Sequence, residues 1–122
     1  IIIFVDDVQS LTAKSRKSSF SFCLILDAFA RDVFSHAPGY TPERRASLLV
    51  FIAAHAQRIE ANLAWALSTR SNHGISETSA LFLAGWACPE LRGANRWQRK
   101  GRKHLLQQIR QQFFADGGYA MY

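Results

Sequence analysis

TPERRASLLVFIAAHAQRIEANLAWAL, residues 41–67, decides the fold class of this chain. Thr41 offers a side-chain oxygen to the free amides of a first helical turn, Pro42 needs no amide donor at the first helical position, and Glu43 suits the positive end of the helix dipole. From there Leu48, Leu49, Ile52, Ala56, Ile59, Leu63 and Ala66 recur at helical spacing as a wide apolar stripe. The spacing predicts one long helix from Pro42 towards Leu67. Few charges stand opposite the middle of the stripe, so this helix is expected to touch neighbours on more than one side.

Working outward, Phe22, Leu26, Phe29, Ala30, Val33 and Phe34 fall at helical spacing between about Ser18 and Ser35, and Pro38-Gly39 then supplies a turn. Downstream, a break over 68–71 leads to a helix from about Asn72 to Ala87, capped by Ser71 or Asn72 and ended by Pro89. Its body, Ala80 to Trp86, is almost wholly apolar. A further helix is expected from about Ala94 to Ala115, with Trp97, Gly101, Leu105, Ile109 and Phe113 on one stripe and Asp116-Gly117-Gly118 as a glycine stop. Short loops between such helices make antiparallel hairpins, so the fold class is all-α. Residues 1–21 fit this pattern poorly, being a β-favouring run, Ile1 to Val5, followed by a polar and basic stretch. No exact internal repeat is present, yet 42–67, 72–87 and 94–115 alternate apolar and mixed faces as the helical pairs of a toroid or solenoid do.

A chain of 122 residues holds one domain at most, and 48% hydrophobic residues with nine Phe and three Trp supply a core. Fifteen Lys and Arg against nine Asp and Glu leave a net charge of +6, which favours polyanions: nucleic acid, acidic polysaccharide or an anionic membrane surface. Cys23 and Cys88 are too few and too far apart for a zinc motif, and neither CxxC nor HExxH spacing occurs, so no metal, redox pair or other cofactor is implied and two buried thiols are expected. Ile1 to Val5 runs at once into Asp6-Asp7 with no basic stretch or Met before it, which fits neither a signal peptide nor a membrane span. The chain reads as cut from something longer.

The polar groups that call for a reason stand at the start of the helix near Asn72. His73 and Glu77 are four apart on one face, and Asn72 and Ser76 form a second such pair beside them. All four lie near the first turn, where free amides and the dipole attract an anion, so an amide donor beside an imidazole could clamp a carboxylate. The plainer alternative is that Asn72 caps, His73 packs and Glu77 pairs with an arginine. Arg96, Arg99, Lys100, Arg102, Lys103 and Arg110 make the last helix densely basic, either as a guide for an acidic polymer or as a solvated face. Trp65, Trp86 and Trp97 could stack on sugar rings if exposed, but their apolar neighbours make core packing the expectation. His36, His55 and His104 show no ligand spacing.

Ser71-Asn72-His73-Gly74-Ile75-Ser76-Glu77, together with Arg58-Ile59-Glu60 and Asp116-Gly117-Gly118-Tyr119, resembles the helical domain of the heparinase II/III-like polysaccharide lyases, which include oligoalginate lyases. The resemblance covers about residues 22–122. It implies helical hairpins forming part of an α/α toroid, and β-elimination on an acidic, uronate-containing polysaccharide or oligosaccharide. It implies catalytic and substrate-binding roles for Asn72 and His73 at the uronate carboxylate, with Glu77 as support that orients His73 or an arginine. It implies that the rest of a lyase chain packs on this segment, and a periplasmic or secreted bacterial location. The family also places a catalytic Tyr, usually followed by His, shortly after the Asp-Gly-Gly segment; Tyr119 and Tyr122 both precede that position, so this segment alone would hold an incomplete site. An acidic-then-Arg motif of the family is unmatched, Lys17 and Ser21 standing at its places. Two rivals stay open: a small basic module binding nucleic acid through 94–115, and a non-catalytic scaffold. Neither a nucleic-acid nor a membrane partner is favoured.

Overall fold

The computed structural model describes residues 25, 28–31 and 33–120. Residues 1–21, Phe22, Cys23, Leu26 and Tyr122, on which several sequence expectations fell, lie outside the described residues. Residues 28–31 and 33–34 are helical and pass through a turn at 35–39 into three helices: α1 (Pro42–Ser68), α2 (Asn72–Ala87) and α3 (Ala94–Gln112). Among the described residues there is no strand, only an isolated bridge between Phe113 and Tyr119. The all-α expectation holds, and short connections make successive helices antiparallel.

The start of α1 follows the chemistry of its first residues. Thr41 is the cap and its Oγ1 accepts from the Arg44 amide at 3.3 Å, with Pro42 in the first turn. Leu49, Ile52, Ala56, Ile59, Leu63 and Ala66 are buried as the stripe requires. They meet Ala80, Leu81 and Ala84 of α2, and the cluster closes over Leu91, Ala94 and Trp97. Trp97, 1% exposed, is the largest fully buried side chain. Full burial of such side chains is worth about 1.5–3 kcal/mol each and is the main force holding the three helices together.

α2 and α3 form the most intimate pair. A Cβ on Gly101 would run into the backbone of Phe82 and the Thr78 carbonyl, so the absent side chain at 101 lets the two backbones nearly touch. That approach also selects which line of α3 faces inward. The buried line is Ala94, Trp97, Gly101, Gln108 and Gln112, whereas Ile109 and Phe113 of the expected apolar stripe are exposed and Leu105 is only half-buried. The helix also stops at Gln112 and not at Ala115, because Phe113 turns extended to bridge Tyr119.

Glu60 joins α1 to α3. Its carboxylate accepts from Arg96 Nε at 2.9 Å, Arg96 Nη2 at 2.9 Å, Trp97 Nε1 at 2.9 Å and Lys100 Nζ at 3.3 Å. Partial burial alone would raise its pKa, but the hydrogen bonds from Arg96, Trp97 and Lys100 outweigh this and hold it below the usual range. In the loop before α3, Glu90 receives Arg31 at 2.7 Å and Arg45 at 3.1 Å, tying the leading helical residues to α1 and to that loop. Cys88 is a buried free thiol, as expected, and burial pushes its pKa up. Two of the three tryptophans contradict the core expectation: Trp65 is 55% exposed and Trp86 63%. Both stand off the stripe that α1 and α2 share, where no described helix covers them. No helix among the described residues is long and apolar enough to cross a membrane.

Candidate functional site

Three residues, 69–71, turn the chain from α1 into α2. Thr69 keeps helical angles, Arg70 takes the left-handed region at φ 47°, and Ser71 is extended at φ −127°, ψ −176°. A left-handed non-glycine residue is uncommon and costs energy, so it persists only where the surroundings fix it. Here the Thr69 hydroxyl donates to the Ala66 carbonyl at 2.8 Å and meets Ser71 Oγ at 2.9 Å, while Ser71 Oγ accepts from the His73 amide at 3.4 Å. Ser71 is thus the cap of α2, and Asn72 is left exposed with its amide side chain directed to no cap.

His73 is half-buried, its ring 5.6 Å from that of Trp65, centroid to centroid, at 48°. The imidazole therefore packs against an indole that is itself largely open to solvent. Behind the turn, α3 supplies a buried amide pair. Gln112 Nε2 donates to Gln108 Oε1 at 2.6 Å and to the Ser71 carbonyl at 3.3 Å. A Cβ on Gly74 would overlap Gln108 Oε1, so any larger residue there would have to displace that amide. Ser76, the second residue of the pair with Asn72, returns its hydroxyl to the His73 carbonyl at 3.3 Å.

Glu77 lies one turn below His73 and is 7% exposed, with Oε2 buried and unpartnered. Burial pushes its carboxyl up from the ordinary value. No hydrogen bond among the described residues joins it to His73 or to an arginine, so the orienting contact expected of Glu77 is absent here; Arg96 has gone to Glu60 instead. The first turn of α2 contains no acidic residue. An anion arriving at Asn72 and His73 meets the positive end of the helix dipole and amide donors, with no fixed carboxylate exposed there to repel it.

The segment after α3 folds back on the same end of the bundle. Ala120 N donates to the Gln112 carbonyl at 2.7 Å, Phe114 N to the Gly118 carbonyl at 2.8 Å, and Gly118 N to Asp116 Oδ1 at 2.9 Å. Tyr119 rests on Phe113, ring centroids 5.0 Å apart. Asn72 and His73 are therefore brought together at an open helix mouth, and the Asp116 to Tyr119 turn is tied to the residue that backs them. Gln108 and Gln112 were not singled out by sequence, whereas Trp65 was weighed as a sugar-stacking residue if exposed, and it is exposed. The signal that existed was the four-residue spacing of the two glutamines on one helix face, which reads as solvated polarity unless the partner helix is known.

Elsewhere, Arg96 and Lys100 of the basic set are engaged by Glu60, while Arg99, Arg102, Lys103 and Arg110 are exposed. His36 is exposed, His55 Nδ1 lies 2.9 Å from the Phe51 carbonyl, and His104 Nδ1 is buried without a partner. Among the described residues no three His, Cys, Asp or Glu converge as a metal site would require.

Comparison with known proteins bears on these residues directly. The heparinase II/III N-terminus family model matches residues 24–121. A heparin-sulfate lyase of Pedobacter heparinus is 29% identical over 85 residues, which cover 70% of this chain and 12% of that protein. A heparin-sulfate lyase of Bacteroides thetaiotaomicron is 28% identical over 86 residues, again 70% of this chain and 12% of the relative. The chain thus spans about an eighth of the length of the curated relatives it matches. No solved structure matches it significantly. Since the match takes in α1, the Ser71 to Glu77 turn, α3 and the Asp-Gly-Gly segment, this chain belongs to the heparinase II/III family, in the part that forms the family's N-terminus.

Proposed function

We propose that the full-length protein carrying this segment is a polysaccharide lyase that cleaves an acidic, uronate-containing glycan by β-elimination, and that Asn72 and His73 bind the uronate carboxylate at the cleavage point. The observation that carries this reading is the helix mouth itself: an exposed amide, a half-exposed imidazole and no acidic residue in the first turn. The names of the two heparin-sulfate lyases support the substrate class.

In such a reaction a base takes the proton α to the carboxylate. The electron pair forms a carbon–carbon double bond, the glycosidic C–O bond breaks, and an acid returns a proton to the departing oxygen. The α proton is weakly acidic, so catalysis depends on stabilising the enolate-like charge that spreads onto the carboxylate. Asn72 supplies amide N–H donors and His73 an imidazole N–H, both at the positive end of α2, where a donor gains most as that charge grows. Trp65 adds an indole face beside the imidazole on which an adjoining sugar ring can lie. Glu77 supports the turn from behind as a buried group. The acid and base are assigned to residues that follow the Asp-Gly-Gly segment, in line with the family's Tyr.

The three antiparallel helices fit a section of an α/α toroid, with neighbouring helices of the full protein covering Phe51 and Trp86. The test is His73→Ala in the full-length protein. Release of unsaturated uronate is expected to fall at least about a hundredfold with glycan binding largely kept. Undiminished turnover by this variant contradicts the site assignment.

A further inference from the structure

Gln112 is a buried residue bonded to two stretches the sequence singles out, through its side chain to the Ser71 turn and through its main-chain carbonyl to the segment after α3. Its Nε2 donates across 41 positions of sequence to the Ser71 carbonyl at 3.3 Å. The same Nε2 donates to Gln108 Oε1 at 2.6 Å, and that oxygen fills the space a Cβ on Gly74 would need. Its own carbonyl accepts from Ala120 N at 2.7 Å, the bond that folds the Asp-Gly-Gly turn back onto α3. Both glutamines are 2% exposed. Two amides buried on a line where a helix ordinarily places Leu or Ala are costly, the more so because Gln112 Oε1 is buried without a partner, and apolar residues would serve packing as well. What the pair supplies that apolar residues could not is direction, through the Nε2 bonds to Ser71 and Gln108.

We propose that Gln112, seconded by Gln108, is a positioning residue: it fixes the Ser71 to Gly74 backbone, and so the direction of Asn72 and His73, relative to the turn that leads towards the family's catalytic Tyr. This rests on the reading of Asn72 and His73 as the carboxylate site. The logic is geometric. The Ser71 carbonyl also accepts from the Gly74 amide at 3.1 Å, so a pull on that carbonyl sets the pitch of the first turn of α2. A small error in that pitch displaces both donors relative to the acid and base, and displacements of the order of 1 Å lower rate far more than binding.

The experiment uses the full-length protein with Gln112→Ala, Gln112→Glu and, as a control for mere destabilisation at the far end of α3, Trp97→Phe. Heparan sulfate and a polyuronate are the substrate probes, and thermal unfolding and amide hydrogen exchange are read alongside. Gln112→Ala is expected to lower kcat about tenfold or more with KM changed less than about threefold. Exchange should quicken in the peptide covering 71–74 and much less in 116–120, which Gln112 holds by its main-chain carbonyl, while Trp97→Phe of equal or greater loss in melting temperature keeps kcat. Combining Gln112→Ala with His73→Ala should cost much less than the product of the two single effects, because both act through one group. If Gln112→Ala does not fold, Gln112→Glu, which keeps length and one acceptor but loses the donor, carries the same expectations. Loss of melting temperature with kcat unchanged, or an additive double variant, overturns the proposal while leaving the carboxylate site intact. Full activity of His73→Ala overturns the site reading first and this inference with it.

Discussion

Glu77 is the residue whose surroundings disagree most with its chemistry. It is buried with one carboxylate oxygen unpartnered, and burial raises its pKa, so the folded protein holds this proton to higher pH than the unfolded chain does. The resulting contribution to stability is full below the ordinary carboxylate pKa and is lost as pH rises through the raised folded value. Glu77→Gln keeps the shape and abolishes the charge. Its stability relative to wild type is therefore expected to improve over the window that opens as pH rises above the ordinary carboxylate pKa, read by urea unfolding at several pH values. A difference that stays flat across that window would mean the carboxyl finds a partner in solution. Ser71 makes the complementary point: as the cap of α2 it also touches Thr69, and Ser71→Ala is expected to cost about 0.5–2 kcal/mol by chemical denaturation while loosening the turn that presents Asn72.

At the scale of elements, the joint between α1 and α3 is polar and the joint between α2 and α3 is a backbone contact, and each predicts a different failure. Glu60→Ala strands the buried Trp97 N–H, which costs about 1–3 kcal/mol, whereas the Arg96 guanidinium, more than half exposed, adds little. Because the Glu60 pKa is lowered in the fold, its contribution is present above the ordinary carboxylate pKa and disappears as pH falls through the depressed value. The gap between wild type and Glu60→Ala should accordingly narrow in acid, the reverse of the Glu77 trend. Gly101→Val has no acid branch: the added carbons meet Phe82 and Thr78 backbone, so a loss of at least about 1–3 kcal/mol is expected at every pH in the same unfolding series. The bounds of α1 and α2 were legible because Thr41-Pro42, Ser71 and Pro89 act within one turn of their own positions. The end of α3 was not, since Phe113 leaves the helix for a bridge to Tyr119 that no local spacing encodes. Its inward face was misread for a related reason. Hydrophobic periodicity counts Gln108 and Gln112 as outside and Leu105, Ile109 and Phe113 as inside, but closeness at Gly101 and the amide bonds to the Ser71 turn reversed that order.

For the molecule as a whole, the all-α fold was legible from stripes and caps, whereas Asn72 and His73 stood out through the family resemblance, since cap, dipole and spacing alone fit plain capping and packing equally well. What local pattern could not give is the support: a glutamine distant in sequence, and a tryptophan whose exposure depends on which helices stand beside it. Trp65, Trp86 and Phe51 are open in this segment, and they are the surfaces on which a larger helical assembly and a sugar would compete. The central claim is that the full-length protein breaks an acidic glycan by elimination. Its most direct measurement is the full-length protein incubated with heparan sulfate and with a polyuronate, following ultraviolet absorbance of unsaturated uronate and new reducing ends in the same sample. The account predicts that both appear in equal numbers for at least one of these glycans, and that neither appears with His73→Ala. Reducing ends without the unsaturated product would mean hydrolysis, and cleavage undiminished in His73→Ala would place the carboxylate elsewhere; either contradicts it.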